Sequence, residues 1–260
     1  MLDRQHAGAE SWLRSIRRSK SFGKLTTMSQ QVVLILFQVV VLILAFSVHE
    51  CAHAWTAWRL GDPTARMLGR VTLNPLKHLD PFGSVLFPLI GLVYGGMLFG
   101  WAKPTPVTAR NFKHYRRDDI LVTLAGPASN LLSASIALIL LVLLKHAIAG
   151  GPIAIATAMA LAGHYPGVST ENLPALFPVA LFLYFVILIN LVLFVFNLIP
   201  VPPLDGSHIL RHFLPYKALQ IYDRIGMFGM FFIMIIGGGF IVRIFLSPLQ
   251  NAFDSVLFSL

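Results

Sequence analysis

Charged residues are scarce in this 260-residue chain: Asp, Glu, Lys and Arg make up 12% of it, while 56% of the residues are hydrophobic. A soluble domain carries about 25% charged residues, so the composition excludes an ordinary soluble enzyme, a disordered chain and a coiled coil. Cysteine is almost absent too, and the single Cys51 excludes an intramolecular disulfide and the usual cysteine-rich zinc modules. The composition therefore predicts a polytopic membrane protein, and with the long apolar runs described below we expect an all-α fold.

The net charge of +9 at pH 7 does not by itself indicate nucleic-acid binding. The basic residues lie between apolar runs rather than in one patch interleaved with aromatic residues. Contact with anionic lipid headgroups explains such a distribution better. We therefore expect the lipid bilayer as a partner, and no nucleic acid.

Five stretches of the chain contain no Asp, Glu, Lys or Arg, and a spanning helix needs about 20 mostly apolar residues. The first stretch, Val32–Val48, is long enough to span a membrane only if its helix continues to about Leu60. The second contains Pro88 and several glycines, which favours re-entrant or strand-like backbone held within the protein. We expect about five spanning helices and one re-entrant or short β-like segment. The uncharged stretches are Val32–Val48, Phe82–Gly100, Ile120–Leu144, Asn172–Leu204 (with its core at Ala175–Leu198) and Ile225–Val242.

The distribution of charge also predicts the organisation of the chain. We expect a basic N-terminal tail at residues 1–31, a membrane-embedded core at residues 32–246 and a C-terminal tail at residues 247–260.

His49, Glu50 and His53 form an H-E-x-x-H motif that directly continues the first apolar run. Positions i and i+4 of an α-helix lie about 40° apart around its axis, so both imidazoles face one point and can hold one zinc ion. Glu50 lies beside them, where it can act on a water molecule. Because ionisable groups are costly next to a membrane helix, the motif predicts a functional metal site.

A zinc site that catalyses hydrolysis has three protein ligands and one open position, so a third ligand must come from elsewhere in the chain. Asp205 is the best candidate. Three prolines between Asn197 and Asp205 end the preceding apolar helix near membrane depth, and Gly206 permits an unusual φ angle at the turn. The alternative is an aspartate that caps a helix at the membrane interface.

Two asparagines lie inside apolar runs, where polar side chains are costly. For Asn130 the functional interpretation is contact with a substrate or an oxyanion, and the alternative is a hydrogen bond to a neighbouring helix. For Asn190 we favour a packing role.

Together these motifs resemble the site-2 protease family of intramembrane zinc metalloproteases, peptidase family M50. The resemblance covers about residues 32–210, and we expect a short form without the PDZ and CBS regulatory domains of that family. It implies that His49, His53 and Asp205 bind one Zn²⁺ ion per chain, that Glu50 is the catalytic base and that Asn130 lines the substrate site. Besides the two metal-binding motifs, the matching segments are Gly61–Thr64, Asn74–Pro81, Gly100–Pro104 and Ala125–Asn130.

The resemblance implies hydrolysis of peptide bonds within or near the transmembrane segments of membrane-protein substrates. A substrate helix hides its carbonyl groups in i→i−4 hydrogen bonds, so it must unwind before attack. The Pro- and Gly-rich region Val71–Val107 is a candidate to hold the unwound chain by β-augmentation. Two alternatives stay open: a zinc-binding membrane transporter, which has no need of Glu50 as a base, and a non-catalytic membrane scaffold.

The metal site also constrains the orientation in the membrane, because His53 and Asp205 must lie near the same face. If that face is cytoplasmic, residues 59–117 and 211–224 bring nine and three Lys and Arg residues inside, as the positive-inside rule expects. We therefore expect a multi-pass protein of the cell membrane with its active site towards the cytoplasm.

The basic N-terminal tail would then lie outside, against the rule. It is an amphipathic element on the membrane, a targeting presequence, or absent because translation begins at Met28, which we favour.

Overall fold

The structure is a computed structural model that describes the backbone of residues 2–93, 100–165, 168–169, 172–232 and 238–260. Within these ranges the chain forms helices and no β-strand, which confirms the predicted all-α fold. The α-helices are α1 (Leu2–Arg59), α2 (Thr64–Met67), α3 (Phe87–Val93), α4 (Tyr115–Ala147), α5 (Gly151–Ala162), α6 (Phe177–Asn197), α7 (Asp205–Arg211), α8 (Tyr216–Phe232) and α9 (Gly238–Ser259); short 3-10 turns cover Pro75–Lys77 and Ala109–Asn111.

The chain divides into two units, residues 1–38 and residues 39–260. The first unit is helical over residues 2–38 and is the N-terminal part of α1. The second unit contains the remainder of α1 and helices α2 to α9.

Three helices in the described part of the chain are long and apolar enough to cross a membrane: Gln31–Arg59 of α1, the whole of α4 and the whole of α6. These helices confirm the first, third and fourth of the predicted apolar runs as candidate spans. Helix α1 continues to Arg59, close to Leu60, where the first run is expected to end if it spans. The fifth run, Ile225–Val242, includes residues 233–237, which lie outside the described residues. The number of about five spanning helices therefore stays a prediction.

Helix α4 packs along α6, and α5 packs against both of them. Small side chains make these close contacts possible: Ala134 and Ala137 of α4, Ala180 of α6, and Ala154 and Ala158 of α5 are all at most 2% exposed. In a membrane, helices associate through close van der Waals packing, which small residues at the interface permit. Positions on facing sides of α4 and α6 are thus held at a fixed separation.

The stretch Phe82–Gly100 begins as a helix rather than as strand-like backbone. A π-helix covers Pro81–Leu86 and continues directly into α3. The Asp80 side chain caps it by accepting hydrogen bonds from the N–H groups of Phe82 (3.0 Å) and Gly83 (2.7 Å). The strand-like alternative is therefore wrong for residues 81–93. Residues 94–99 lie outside the described residues, so re-entry of this segment stays a prediction.

Asp62 fixes the loop that follows α1. Its carboxylate is fully buried and accepts hydrogen bonds from the N–H and hydroxyl of Thr64 (3.1 and 2.5 Å), the N–H of Thr108 (2.7 Å) and the side-chain amide of Asn111 (2.7 Å). Burial raises the pKa of a carboxyl group, but here the four hydrogen bonds outweigh it and hold the pKa of Asp62 below its usual value. Residues 108–111 are thereby attached to the end of α1.

The predicted C-terminal tail, residues 247–260, is mostly helical. Residues 247–259 belong to α9, where Leu257 is buried. The ammonium group of Lys145 at the end of α4 donates to the carbonyl oxygens of Leu257 (2.9 Å) and Phe258 (3.3 Å). This contact satisfies carbonyl groups that the last turn of a helix leaves unpaired.

Candidate metal centre

Three side chains from two distant parts of the sequence meet at one point. His49 and His53 lie one turn apart on α1, and Asp205 is the first residue of α7. The Nε2 atoms of the two histidines are 3.0 Å apart, and Asp205 Oδ2 lies 3.1 Å from the His49 nitrogen and 3.4 Å from the His53 nitrogen. One ligand atom from each residue lies within 4.8 Å of the other two. The structure thus brings together the three residues that the sequence predicts as ligands.

The hydrogen bonds on the far side of each ring decide which nitrogen carries the proton. His53 Nδ1 lies 2.7 Å from the backbone oxygen of Val122, and His49 Nδ1 lies 2.6 Å from Asn130 Oδ1. An oxygen of this kind only accepts, so Nδ1 must donate in both rings. A neutral imidazole then presents a lone pair at Nε2.

When both rings are neutral, lone pairs from three atoms therefore converge on one point. Asp205 Oδ2 is buried and, among the described residues, has no hydrogen-bond partner besides the two histidine nitrogens. A cation removes the repulsion among the three atoms, and two imidazole nitrogens with one carboxylate oxygen are a donor set typical of catalytic zinc, which keeps a further position open. His49, His53 and Asp205 thus fit a zinc ion.

Gly126 of α4 provides the space for the two rings. A Cβ atom at this position would lie 2.6 Å from both Nε2 and Cε1 of His49, and closer still to His53 Nε2. Such distances are well inside ordinary contact, about 3.5–4.0 Å. Only a glycine therefore lets α4 approach the histidines closely enough for Asn130 and Val122 to reach them.

The turn between α6 and α7 orients Asp205. Helix α6 ends at Asn197, and Leu204, with ψ of 155°, is extended and directs the chain into α7. The expectation that Gly206 adopts an unusual φ is wrong, because it is not among the described glycines with positive φ. Its role is close packing: a Cβ atom would lie 2.7 Å from the Ile199 oxygen and nearer to that of Leu198.

Glu50 is buried beside the histidines, and the loop after residue 100 holds it. The N–H of Thr105 donates to Glu50 Oε2 at 2.8 Å, and the Thr105 hydroxyl donates to the Glu50 backbone oxygen at 3.0 Å. The backbone and side chain of one loop residue therefore fix both the position and the rotation of the carboxylate.

Asn130 is fully buried, and its side chain binds protein groups at both ends. Its oxygen faces His49, and its Nδ2 donates to Asn190 Oδ1 at 2.8 Å. Asn190 Nδ2 donates in turn to the backbone oxygen of Val186 at 2.9 Å. This is the interhelical bond given above as the alternative for Asn130; contact between Asn130 and a substrate stays a prediction.

Sequence reasoning missed the roles of Gly126 and Thr105. A glycine inside an apolar helix is itself a signal of close approach, so Gly126 could have been found. Thr105 lies between two prolines in an irregular loop, and no pattern in the sequence links it to Glu50.

Comparison with known proteins agrees with this geometry. The model of peptidase family M50 matches residues 37–237. A Bacillus subtilis protein named "Putative zinc metalloprotease YwhC" is 43% identical over 181 residues, which cover 69% of this chain and 69% of that protein. No solved structure matches the chain.

Two mycobacterial relatives carry the name "Putative zinc metalloprotease Rip2". The protein from Mycobacterium tuberculosis is 29% identical over 209 residues, 80% of this chain and 66% of that protein. The protein from Mycolicibacterium smegmatis is 37% identical over 92 residues, 35% of this chain and 34% of that protein. Because the family model covers most of the chain, this protein belongs to peptidase family M50 and is a metallopeptidase.

Proposed function

We propose that this protein is an intramembrane zinc protease that cleaves membrane-protein substrates within or near their transmembrane segments, with His49, His53 and Asp205 as zinc ligands and Glu50 as the catalytic base. The observation that carries the proposal is the convergence of three potential ligand atoms beside a buried glutamate. The names of the relatives agree with zinc as the metal and with proteolysis as the reaction. We expect one zinc ion per chain.

The depth of the site supports a substrate in the membrane. His53 and His49 lie six and ten residues before Arg59, the last residue of the spanning part of α1. At 1.5 Å per residue they lie about 9 and 15 Å below the end of that helix. A site this far before the end of an apolar helix favours an unwound transmembrane segment as the substrate over a peptide bond in a soluble domain.

A bound zinc ion would supply Lewis acidity, activating water and polarising the carbonyl group that is attacked. Glu50 takes the proton from the attacking water and delivers it to the nitrogen of the leaving amine. A carboxylate has two oxygens, so Glu50 can keep its bond to the Thr105 N–H through one and move the proton on the other. The apolar surroundings strengthen each of these electrostatic contacts.

We also propose that the protein spans the cell membrane several times and that the site opens towards the cytoplasm. Support comes from the Lys and Arg residues in 59–117 and 211–224, the segments that flank the metal ligands. The substrates are membrane proteins with a transmembrane helix, and Asn130 remains a candidate substrate contact.

The experiment compares the full-length chain with its Glu50→Gln variant in liposomes that contain a single-span fusion substrate. Loss of the base should lower cleavage by about 10²–10⁴-fold while zinc content, measured by mass spectrometry, is unchanged. Asp223→Asn is the matched control, because the Asp223 side chain is 42% exposed and pairs with Arg211 at 3.0 Å rather than with a proposed metal ligand. Full cleavage by Glu50→Gln would refute the base assignment, and zinc flux across the liposomes without cleavage would favour a transporter.

A further inference from the structure

A chain of hydrogen bonds connects α6 to the ring of His49. It runs from the Val186 backbone oxygen through Asn190 and Asn130 to His49 Nδ1, with distances of 2.9, 2.8 and 2.6 Å. Asn190, Asn130 and His49 are only 2%, 0% and 5% exposed, so water does not compete for these bonds. The mechanism proposed above assigns no role to Asn190.

The chemistry of the groups fixes the direction of the chain. An amide side chain presents a donor at one end and an acceptor at the other, and either end fits the same space. The Val186 carbonyl oxygen only accepts, so Asn190 must turn its NH₂ group towards it and its oxygen towards Asn130. Asn130 must then turn its own NH₂ group towards Asn190 and its oxygen towards His49. One backbone carbonyl thus sets the polarity of every group in the chain.

The two histidines differ in whether the hydrogen-bond partner of Nδ1 can reverse its polarity. His53 Nδ1 donates directly to a backbone oxygen, which cannot be reversed. His49 Nδ1 faces an amide that could present either end, and a reversed Asn130 would offer it NH₂. His49 would then have to accept at Nδ1 and carry its proton on Nε2, where no lone pair would remain for a metal.

We propose that Asn190 is a positioning residue that holds Asn130 in the orientation in which His49 keeps its proton on Nδ1 and offers Nε2 to the metal. This inference rests on the zinc site of the proposed function. Asn190 does not touch the metal or the substrate; it acts through Asn130. Partners that orient a metal-binding histidine typically contribute 10–100-fold to metal affinity.

Two substitutions of similar size separate this role from simple helix packing. Asn190→Leu is apolar, removes the acceptor for Asn130 and leaves that amide able to reverse. Asn190→Asp retains an oxygen that accepts from Asn130 Nδ2, whichever protonation state it adopts, and so retains the polarity. A packing role predicts that leucine is tolerated and that aspartate, a potential buried charge, is harmful. A positioning role predicts the opposite order for metal affinity.

The test measures zinc dissociation constants for the full-length chain in detergent by competition with a fluorescent chelator, together with the thermal stability of the metal-free protein. We expect Asn190→Leu to weaken zinc binding about tenfold or more, with stability no lower than that of Asn190→Asp, and Asn190→Asp to bind zinc within about threefold of wild type. Ser135→Ala is the control, because it removes a comparable bond from a side chain to an i−4 carbonyl in α4 (2.8 Å).

Wild-type affinity in Asn190→Leu, or an equal loss in both Asn190 variants, would overturn the inference. A His49→Ala variant makes the two levels of failure distinguishable. If His49→Ala binds zinc as tightly as wild type, the proposed metal site itself is wrong. If His49→Ala loses zinc and Asn190→Leu does not, only the role of Asn190 is refuted.

Discussion

Replacement of Gly126 by alanine should disable the proposed metal centre while leaving helix α4, which carries Gly126, intact. The new Cβ atom would lie 2.6 Å from His49 Nε2, so the ring must move by about 0.9 Å to reach ordinary contact. Metal–ligand distances tolerate only about 0.2 Å. Alanine also stabilises a helix interior by about 0.5–1 kcal/mol relative to glycine. We therefore expect zinc affinity to fall by about 10–100-fold or more, with no loss of helix content.

Zinc content after dialysis against a weak chelator, helix content by circular dichroism and cleavage of the fusion substrate together test this expectation. Leu132→Phe is a suitable control, because it adds volume to the same helix at a position that is 61% exposed. Zinc binding by Gly126→Ala equal to that of wild type would mean that α4 and the histidines are farther apart than described here, and the reasoning about close approach would be wrong.

Two further substitutions test the loops around the site. Asp62→Asn should lower the free energy of unfolding by about 1–3 kcal/mol, because one carboxylate oxygen becomes a donor that faces other donors; thermal unfolding in detergent measures this. The pKa of Asp62 in the folded protein is below the unfolded value of about 4. Its contribution to the free energy of unfolding is therefore complete above about pH 4 and is lost as the pH falls through the folded pKa. A difference in stability between variant and wild type that persists under strong acid would contradict this. Thr105→Pro removes the N–H that holds Glu50, and should lower kcat about tenfold or more with KM and zinc content unchanged, whereas Thr105→Val keeps that N–H and should keep kcat.

The features that the sequence predicts well are those that a pattern of neighbouring residues determines. The apolar period and the H-E-x-x-H spacing identify a helix that must continue past Val48, and it ends at Arg59. The prolines before Asp205 identify the end of the preceding helix, which the structure has at Asn197. In these cases the residues that determine the structure are neighbours in the chain.

The features that the sequence predicts poorly depend on contacts between distant segments. Whether Gly206 is needed for its φ angle or for space depends on where the end of α6 lies, which its neighbours do not reveal. The bond from Thr105 to Glu50 joins a loop to a helix without any periodic signal. Asn190 looks like a packing residue until its partner on α4 is known.

The late position of Asp205 in the chain has a consequence for biosynthesis. The two histidines emerge from the ribosome early, but the carboxylate that completes the set is synthesised about 150 residues later, which takes roughly 8–30 s at 5–20 residues per second. It can reach the histidines only after α6, which packs along α4, has been synthesised. During that interval the nascent chain lacks the third ligand of the proposed metal centre, so the proposed hydrolysis cannot begin before α7 has been synthesised.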